Sequence, residues 1–552
     1  MSPQAATVAE VVAATLAQRG VGQVFGVVGS GNFHVTNALI AYGARYVAAR
    51  HEMGATVMAD AYARMSGSLG VVTVHQGCGL TNAMTGLAEA AKSRTPLLLL
   101  AAEVTNPGSN FYVDQPALAH AVGAESIRVD DPANAAVQIA AAYDLAVSER
   151  RTVLVNLPLE IQCQPAPDPG SAEPGRNTEA AVPPDGAGVE QLARVLTGAQ
   201  RPVFLAGRGA RHARTEIESA ATAFGALLAT SAVAKGLFHG SPWSLDVSGG
   251  FATPLAADLI RGADVIVGFG CALNMWTMRH GRLIGPETTV AQVDIEAGAL
   301  GRHHDTHVGV TGDSAEVADA LRALHTGAVR PGYRSDDIAG RIAAQGRWRD
   351  VPYEDWAEGS GERARIDPRT LTIGLDDLLP RDRIVSIDSG NFMGYPSMFM
   401  SVPDEYGFCF TQAFQSIGLG LATAIGAALA RPDRLPVAAL GDGGALMGIA
   451  ELDTVRRLGL PMVVVVYNDA AYGAEVHHFS AGEPLDTVMF PDTDIAAIAR
   501  GYGFDGFTVR TVDDLVEVGN WLAGPRDRPL LIDVKVAAPA GAWWLEDAFR
   551  GH

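Results

Sequence analysis

A chain of 552 residues has room for several domains of about 100–200 residues each. Its formal charge of −20, from 41 basic against 61 acidic residues with no basic block, argues against nucleic acid or an anionic membrane as a partner. Hydrophobic residues make up 48% of it, yet no apolar run approaches the roughly 18–20 residues needed to span a bilayer.

The first segment, SPQAATVAEVVAATLAQRG, reads as an amphipathic helix without the basic stretch and apolar core of a signal peptide. Cys78, Cys163, Cys271 and Cys409 lie far apart, with neither metal-ligand spacing nor a disulfide framework, so a soluble cytoplasmic enzyme is the expected class. In VVGSGNFHVTNAL, Gly29 and Gly31 give only a weak dinucleotide signal, because no acidic residue follows at the required spacing. RHEMGATVMADAYARMSG then opens a helix on Glu52, which by itself reads as a carboxylate complementing the helix dipole. The runs VVTV, PLLLLAA, TVLVNLP, PVFLAG, DVIVGFG and PLLIDVKV alternate with helical patterns, which predicts parallel sheets covered on both faces. Two linker-like breaks, Gln164 to Gly188 and Gly327 to Asp367, divide the chain; the second is polar and broken, with parts compatible with a helix. The expected units are 1–165, 189–326 and 367–540, followed by a C-terminal tail, 541–552.

Near the end, Gly441-Asp442-Gly443-Gly444 terminates the run LPVAAL, and Asn468-Asp469 terminates MVVVVY. Each strand thus delivers polar side chains to its carboxyl end, where open α/β sheets bind ligands. The glycines let backbone N–H groups approach an anion, while Asp442 and Asp469 offer hard oxygen ligands for Mg²⁺ or Ca²⁺. A bare GDG also occurs in tight turns. The two strand ends together describe a metal-bridged diphosphate site.

With these residues the chain resembles the thiamine-diphosphate enzymes of the acetolactate synthase, benzoylformate decarboxylase and pyruvate decarboxylase type. The resemblance implies an α/β chain of three doubly wound parallel-sheet domains: pyrimidine-binding, central Rossmann-like and diphosphate-binding. The first and third would share one topology. It implies thiamine diphosphate and Mg²⁺, with Asp442, Asp469 and the Ala471 carbonyl as metal ligands. Asp469 stands where the family usually has a second asparagine, and Asn468 would orient the loop. Glu52 would hydrogen-bond the aminopyrimidine and favour the imino tautomer, Gln415 would offer it a backbone carbonyl, and Ile417 would prop the cofactor into its bent form. Gly390 and Asn391, with Gly443 and Gly444, would contact the phosphates. A homodimer or homotetramer with the site at the subunit interface is expected.

The reaction rests on fewer residues. His75 and Ser30 stand where benzoylformate decarboxylases carry a catalytic histidine and a serine that contacts the substrate carboxylate; His34 is a further candidate. Glu475 stands where pyruvate decarboxylases handle protons on the intermediate. In FYVDQPALAH, Asp114 and Gln115 replace the Phe-Gln-Glu of acetolactate synthases, and Gln115 is a candidate substrate contact. His477 and His478 are adjacent on a helix and point apart, so they are pocket or surface residues rather than a metal pair. The central domain's GRGA, GFGCALN and VDIEAGALGR resemble flavin-binding relatives, but many relatives keep this fold empty, so FAD is not the expected occupant. The reading is a lyase or carboligase that cleaves a C–C bond of a 2-keto acid or similar acyl donor, then protonates the carbanion or passes it to an acceptor. An FAD-dependent 2-keto acid oxidase and a catalytically inactive cofactor-binding regulatory protein are the alternatives.

Overall fold

The computed structural model describes residues 6–170, 182–327, 330–479 and 482–548. Three six-stranded sheets, every strand pair parallel, follow one another along the chain. The first holds β1 (Gln23–Gly26), β2 (Arg45–Ala48), β3 (Gly70–Val74), β4 (Leu97–Glu103), β5 (Glu125–Arg128) and β6 (Thr152–Pro158). The second holds β7 (Pro202–Ala206), β8 (Leu227–Thr230), β9 (Ser244–Val247), β10 (Val265–Phe269), β11 (Thr289–Asp294) and β12 (Val308–Thr311). The third holds β13 (Arg383–Ile387), β14 (Phe408–Phe410), β15 (Leu435–Gly441), β16 (Val463–Asn468), β17 (Asp505–Val509) and β18 (Leu530–Lys535). Apolar runs make the central strands: every residue of β3, β4, β6, β7, β10, β13 and β18 is buried.

The first sheet runs β2-β1-β3-β4-β6-β5 and the third β14-β13-β15-β16-β18-β17, which is the same order shifted by one domain. The two outer domains therefore share one topology. The central order, β12-β11-β10-β7-β8-β9, is the Rossmann arrangement. In both outer sheets the order reverses beside the first strand, between β1 and β3 and between β13 and β15. Loops leaving these strands open the crevice where such sheets bind ligands.

The outer domains are not independent. One buried cluster runs from Phe25, Ala55 and Val72 of the first domain to Leu419, Ile425, Leu440 and Val464 of the third. At its centre the helix Glu52–Ser66 lies on the helix Gly420–Ala430. A Cβ on Gly426 would stand 2.1 Å from the Met58 carbonyl, so the backbones touch and only glycine fits.

One expectation changes. The helix Val8–Gln18, capped by Thr7 and Glu10, is buried along nearly all of Val8 to Leu16 rather than being amphipathic. It lies under the helices Phe33–Ala41 and Ala135–Ser148, which cover the face that would meet water. The second linker-like stretch contains a helix, Asp336–Gln345, whose Ile338 and Ile342 join the core of the central sheet. Much of the first linker, 171–181, lies outside the described residues. The tail forms a helix, Trp543–Ala548, with Trp544 buried against Phe251 and Tyr395. All four cysteines are free.

Candidate active site

The turn after β3 and the start of the helix Glu52–Ser66 converge. His51 caps that helix by accepting the Met53 N–H at 3.1 Å, and buried Glu451 of the third domain accepts the Arg50 and His51 N–H groups at 3.0 and 3.1 Å. Glu52 is thereby fixed at the first helical position. Its Oε2 accepts from Asn82 Nδ2 at 3.0 Å, and Oε1 is 3.5 Å from where a Cβ on Gly79 would stand. That Cβ would also be 3.0 Å from the His75 Cβ, so Gly79 leaves the space in which both side chains meet. His75 Nδ1 accepts the Gly31 N–H at 3.1 Å, which places the proton of the neutral ring on Nε2. Burial lowers the His75 pKa and the Glu52 charge opposes the shift. Phe111 packs edge-on to the ring at 5.5 Å.

At the second crevice, four segments gather around Asp388. This carboxyl is fully buried at the end of β13 and accepts N–H groups from Ser389 (2.8 Å), Gly418 (2.9 Å) and Leu419 (3.2 Å). Burial pushes its pKa up to about 6 against the pull of those bonds. A Cβ on Gly444 would lie 2.2 Å from its Oδ2, so the Gly441-Asp442-Gly443-Gly444 turn closes directly over it. Asp442, 7% exposed, faces Asp469, and both carboxyls are raised above their ordinary value, first by burial. The Asp469 charge adds to the rise at Asp442. Ala470 adopts φ 59°, turning the chain so that the Ala471 N–H donates to Asp469. Asn468 is buried; its Nδ2 donates to Asp533 at 2.8 Å and its Oδ1 accepts the Ala470 N–H at 3.1 Å, so it holds the loop. A cavity of about 280 Å³ opens here between Asp442, Gly443, Met447, Tyr472 and Phe490.

The other expected residues divide. Gly390, at φ 140°, and Asn391 form the turn after β13, and Asn391 sits beside Gly473 and Asp469. Its Oδ1 accepts the Ala542 N–H of the tail at 3.0 Å. Gln415 is exposed at φ 60°, and Ile417 is half-buried next to it. Glu475 is half-buried in the short helix Gly473–His478, where His477 packs on Gly541 with its pKa lowered by burial. Ser30 and His34 are exposed on the loop and helix after β1. Gln115 is 1% exposed and donates to Asn156 Oδ1 at 2.8 Å, so its amide faces the domain interior rather than a substrate. Asp114 instead caps the helix Gln115–Ala121. Asp388, Glu451 and Asn82 were not singled out from the sequence. For Asp388 the signal was its place directly after the strand run RIVSI, two residues before Gly390. Among the described residues no hydrogen bond or ion pair joins the Glu52–His75 group to the Asp442–Asp469 group.

The chain carries three matching family regions: the N-terminal TPP binding domain of thiamine pyrophosphate enzymes over residues 6–124, their central domain over 189–321, and their C-terminal TPP binding domain over 388–534. It belongs to the thiamine pyrophosphate enzyme family. It is 29% identical over 551 residues to a sulfoacetaldehyde acetyltransferase of Alcaligenes xylosoxydans, covering 92% of this chain and 89% of the relative. It is 27% identical to the acetolactate synthase isozyme 2 large subunit of Escherichia coli, with 97% of each chain covered. It is 28% identical to a probable 2-ketoarginine decarboxylase of Pseudomonas aeruginosa, covering 94% of this chain and 92% of that one. The family is thus fixed, while relatives at similar identity carry three different reaction names. No helix among the described residues is long and apolar enough to cross a membrane.

Proposed function

We propose that the chain is a thiamine-diphosphate- and Mg²⁺-dependent lyase or carboligase that cleaves a C–C bond of a 2-keto acid or similar acyl donor. The observation that carries this reading is the pair of facing buried carboxyls, Asp442 within the glycine turn and Asp469 on the neighbouring loop, at a sheet switch point. Two carboxylates forced together gain from a divalent cation, and Mg²⁺ takes one or two carboxylates with a phosphate and waters. The donor set therefore fits the cofactor's metal-bridged diphosphate. Asp442, Asp469 and the Ala471 carbonyl would hold the metal, and the Gly390, Asn391, Gly443 and Gly444 backbone the phosphates. Thiamine diphosphate, when bound, supplies the electron sink for the breaking C–C bond.

The remaining groups hold or move protons. Glu52, oriented by Asn82, would share a proton with an aminopyrimidine nitrogen, and the Gln415 carbonyl would accept from its amino group. His75, kept neutral by burial, presents its Nε2–H to a substrate, with Ser30 on the adjoining loop. Glu475 is the second proton carrier. Relatives named for acetolactate, sulfoacetaldehyde and 2-ketoarginine support an acyl or keto-acid donor and leave the fate of the carbanion to the acceptor. We further propose that the site is completed by a second copy, because no hydrogen bond or ion pair joins the Glu52 and Asp442 groups among the described residues of one chain.

The test is a donor screen with Mg²⁺ and thiamine diphosphate against pyruvate, benzoylformate and branched 2-keto acids, alone and with aldehyde acceptors. Donor-dependent CO₂ release that disappears in Glu52→Gln is expected; full turnover in that variant defeats the mechanism. A yellow protein consuming O₂ would instead favour the oxidase.

A further inference from the structure

The segment that carries Gln415 and Ile417 is gripped at both ends by buried carboxylates from different domains. Glu89 lies on the helix Cys78–Lys92 of the first domain and is fully buried. Its Oε1 accepts the Ala413 N–H at 3.0 Å and its Oε2 the Phe414 N–H at 2.6 Å, across 324 and 325 residues of chain. Arg64 donates to Glu89 at 2.8 Å and to the Phe410 carbonyl at 2.9 Å. At the far end Asp388 takes the Gly418 and Leu419 N–H groups. Between the two grips Gln415 holds φ 60°, a left-handed backbone that a residue with a side chain keeps only when its surroundings over-determine it.

Neutralising Arg64 does not require Glu89. Asp60, one helical turn away, already pairs with that guanidinium at 2.6 and 2.9 Å. Both oxygens of Glu89 also reach the loop, Oε1 while shared with Arg64, through charge-assisted bonds that are shorter and stronger than neutral ones. We propose that Glu89 is a positioning residue: it clamps residues 413–414 so that the strained turn at Gln415 and the side chain of Ile417 stay at the height the cofactor requires. The inference rests on the reading above that this segment faces thiamine diphosphate. Release of the clamp lets the turn relax, and a displacement near 1 Å at a reacting centre lowers rates by roughly 10²-fold.

Three variants test it: Glu89→Gln, Glu89→Asp, and Asp60→Asn, which disturbs the same buried charges without removing an acceptor from the loop. Backbone hydrogen exchange of residues 410–418 is read in the cofactor-free protein. Exchange of the thiazolium C2 proton is read in the loaded protein by quench and NMR. Glu89→Gln should speed amide exchange at 413 and 414 by about tenfold and slow C2 exchange by roughly 10²-fold. Donor KM should stay within about twofold, because the clamp acts on the cofactor side. Glu89→Asp should recover part of both effects, and Asp60→Asn should show neither. Wild-type exchange at 413 and 414 in Glu89→Gln, or equal changes in Asp60→Asn, overturns the proposal. Should Glu89→Gln not fold, Glu89→Asp against Asp60→Asn carries the same comparison, and equality between them is again fatal. Failure of the wild type to bind thiamine diphosphate would strike the reading of the site, while the cofactor-free exchange still decides the clamp.

Discussion

The facing carboxyls make the metal-free protein sensitive to pH in a defined direction. Asp442 and Asp469 are raised above the ordinary 3.8, chiefly by burial and, at Asp442, also by its neighbour's charge. Between 3.8 and the raised values the folded chain therefore holds protons that the unfolded chain has released. Stability from these groups is complete below the ordinary carboxylate range and is lost as pH rises through that window. The slope is about 1.4 kcal/mol per pH unit for each carboxyl still protonated when folded. Mg²⁺ bound to the ionised pair replaces those protons. At 100-fold excess over Kd it should add about 2.7 kcal/mol, increasing with pH by up to about 1.4 kcal/mol per unit for each proton displaced. Thermal unfolding with Mg²⁺ or with chelator at pH 5 to 8 reads the difference, followed on the transition that the metal moves, since a chain of several domains is not two-state. Asp469→Asn removes the neighbouring charge and should flatten the slope to about one proton or less while keeping Mg²⁺ binding. A Mg²⁺ increment independent of pH, or a slope unchanged in Asp469→Asn, would refute the idea that the two carboxyls share one cation.

Glu52→Gln should lower turnover by about 10²–10⁴-fold, the usual span for a lost proton-transfer group, with Mg²⁺ stabilisation intact because Asp442 and Asp469 are untouched. His75, its pKa below the ordinary 6.5 through burial, should give an acid limb to kcat/KM below that pH; His75→Leu should erase the limb, and an unaltered profile would remove His75 from proton transfer. Gly426→Ala should destabilise by about 1–3 kcal/mol or more, read as a lower denaturant midpoint, because its methyl would overlap the Met58 carbonyl.

Central strands were legible because burial on both faces leaves unbroken apolar runs: TVLVNLP is β6 residue for residue. Edge strands were not. β2 (RYVA) and β5 (ESIR) are largely solvent-facing, so their residues carry no apolar signature. The glycine turn at Asp442 could be read because tight packing restricts residue type: a Cβ on Gly444 would stand 2.2 Å from Asp388 Oδ2. Gln115 misled because sequence order says nothing of which way a side chain at a helix start turns; here Asn156 draws it inward. Glu89 and Glu451 were silent for a different reason. Each serves backbone N–H groups hundreds of residues away, and such bonds leave no local pattern.

The shared order of the outer sheets explains why one site needs both. Each outer sheet offers one switch point, and under the proposed function each serves one kind of chemistry. The β1/β3 crevice gathers Gly31, His75 and, from the helix between β2 and β3, Glu52, the proton carriers of the proposed mechanism, around a glycine gap. The β13/β15 crevice gathers N–H groups and carboxyls, the equipment for a cation and phosphates. Asp469 adds a negative charge where the family pattern has an amide, and that charge needs an answer besides the metal. Arg365 supplies one: its charge opposes the burial-driven rise of the Asp469 pKa, and it donates to the Asn468 and Val536 carbonyls at 3.3 Å. It comes from the polar stretch before the third domain, the part of the chain that reads as mere linker. Loss of this guanidinium should therefore weaken Mg²⁺ stabilisation from outside the crevice, because the extra carboxylate would then keep only the Ala471 N–H and the cation.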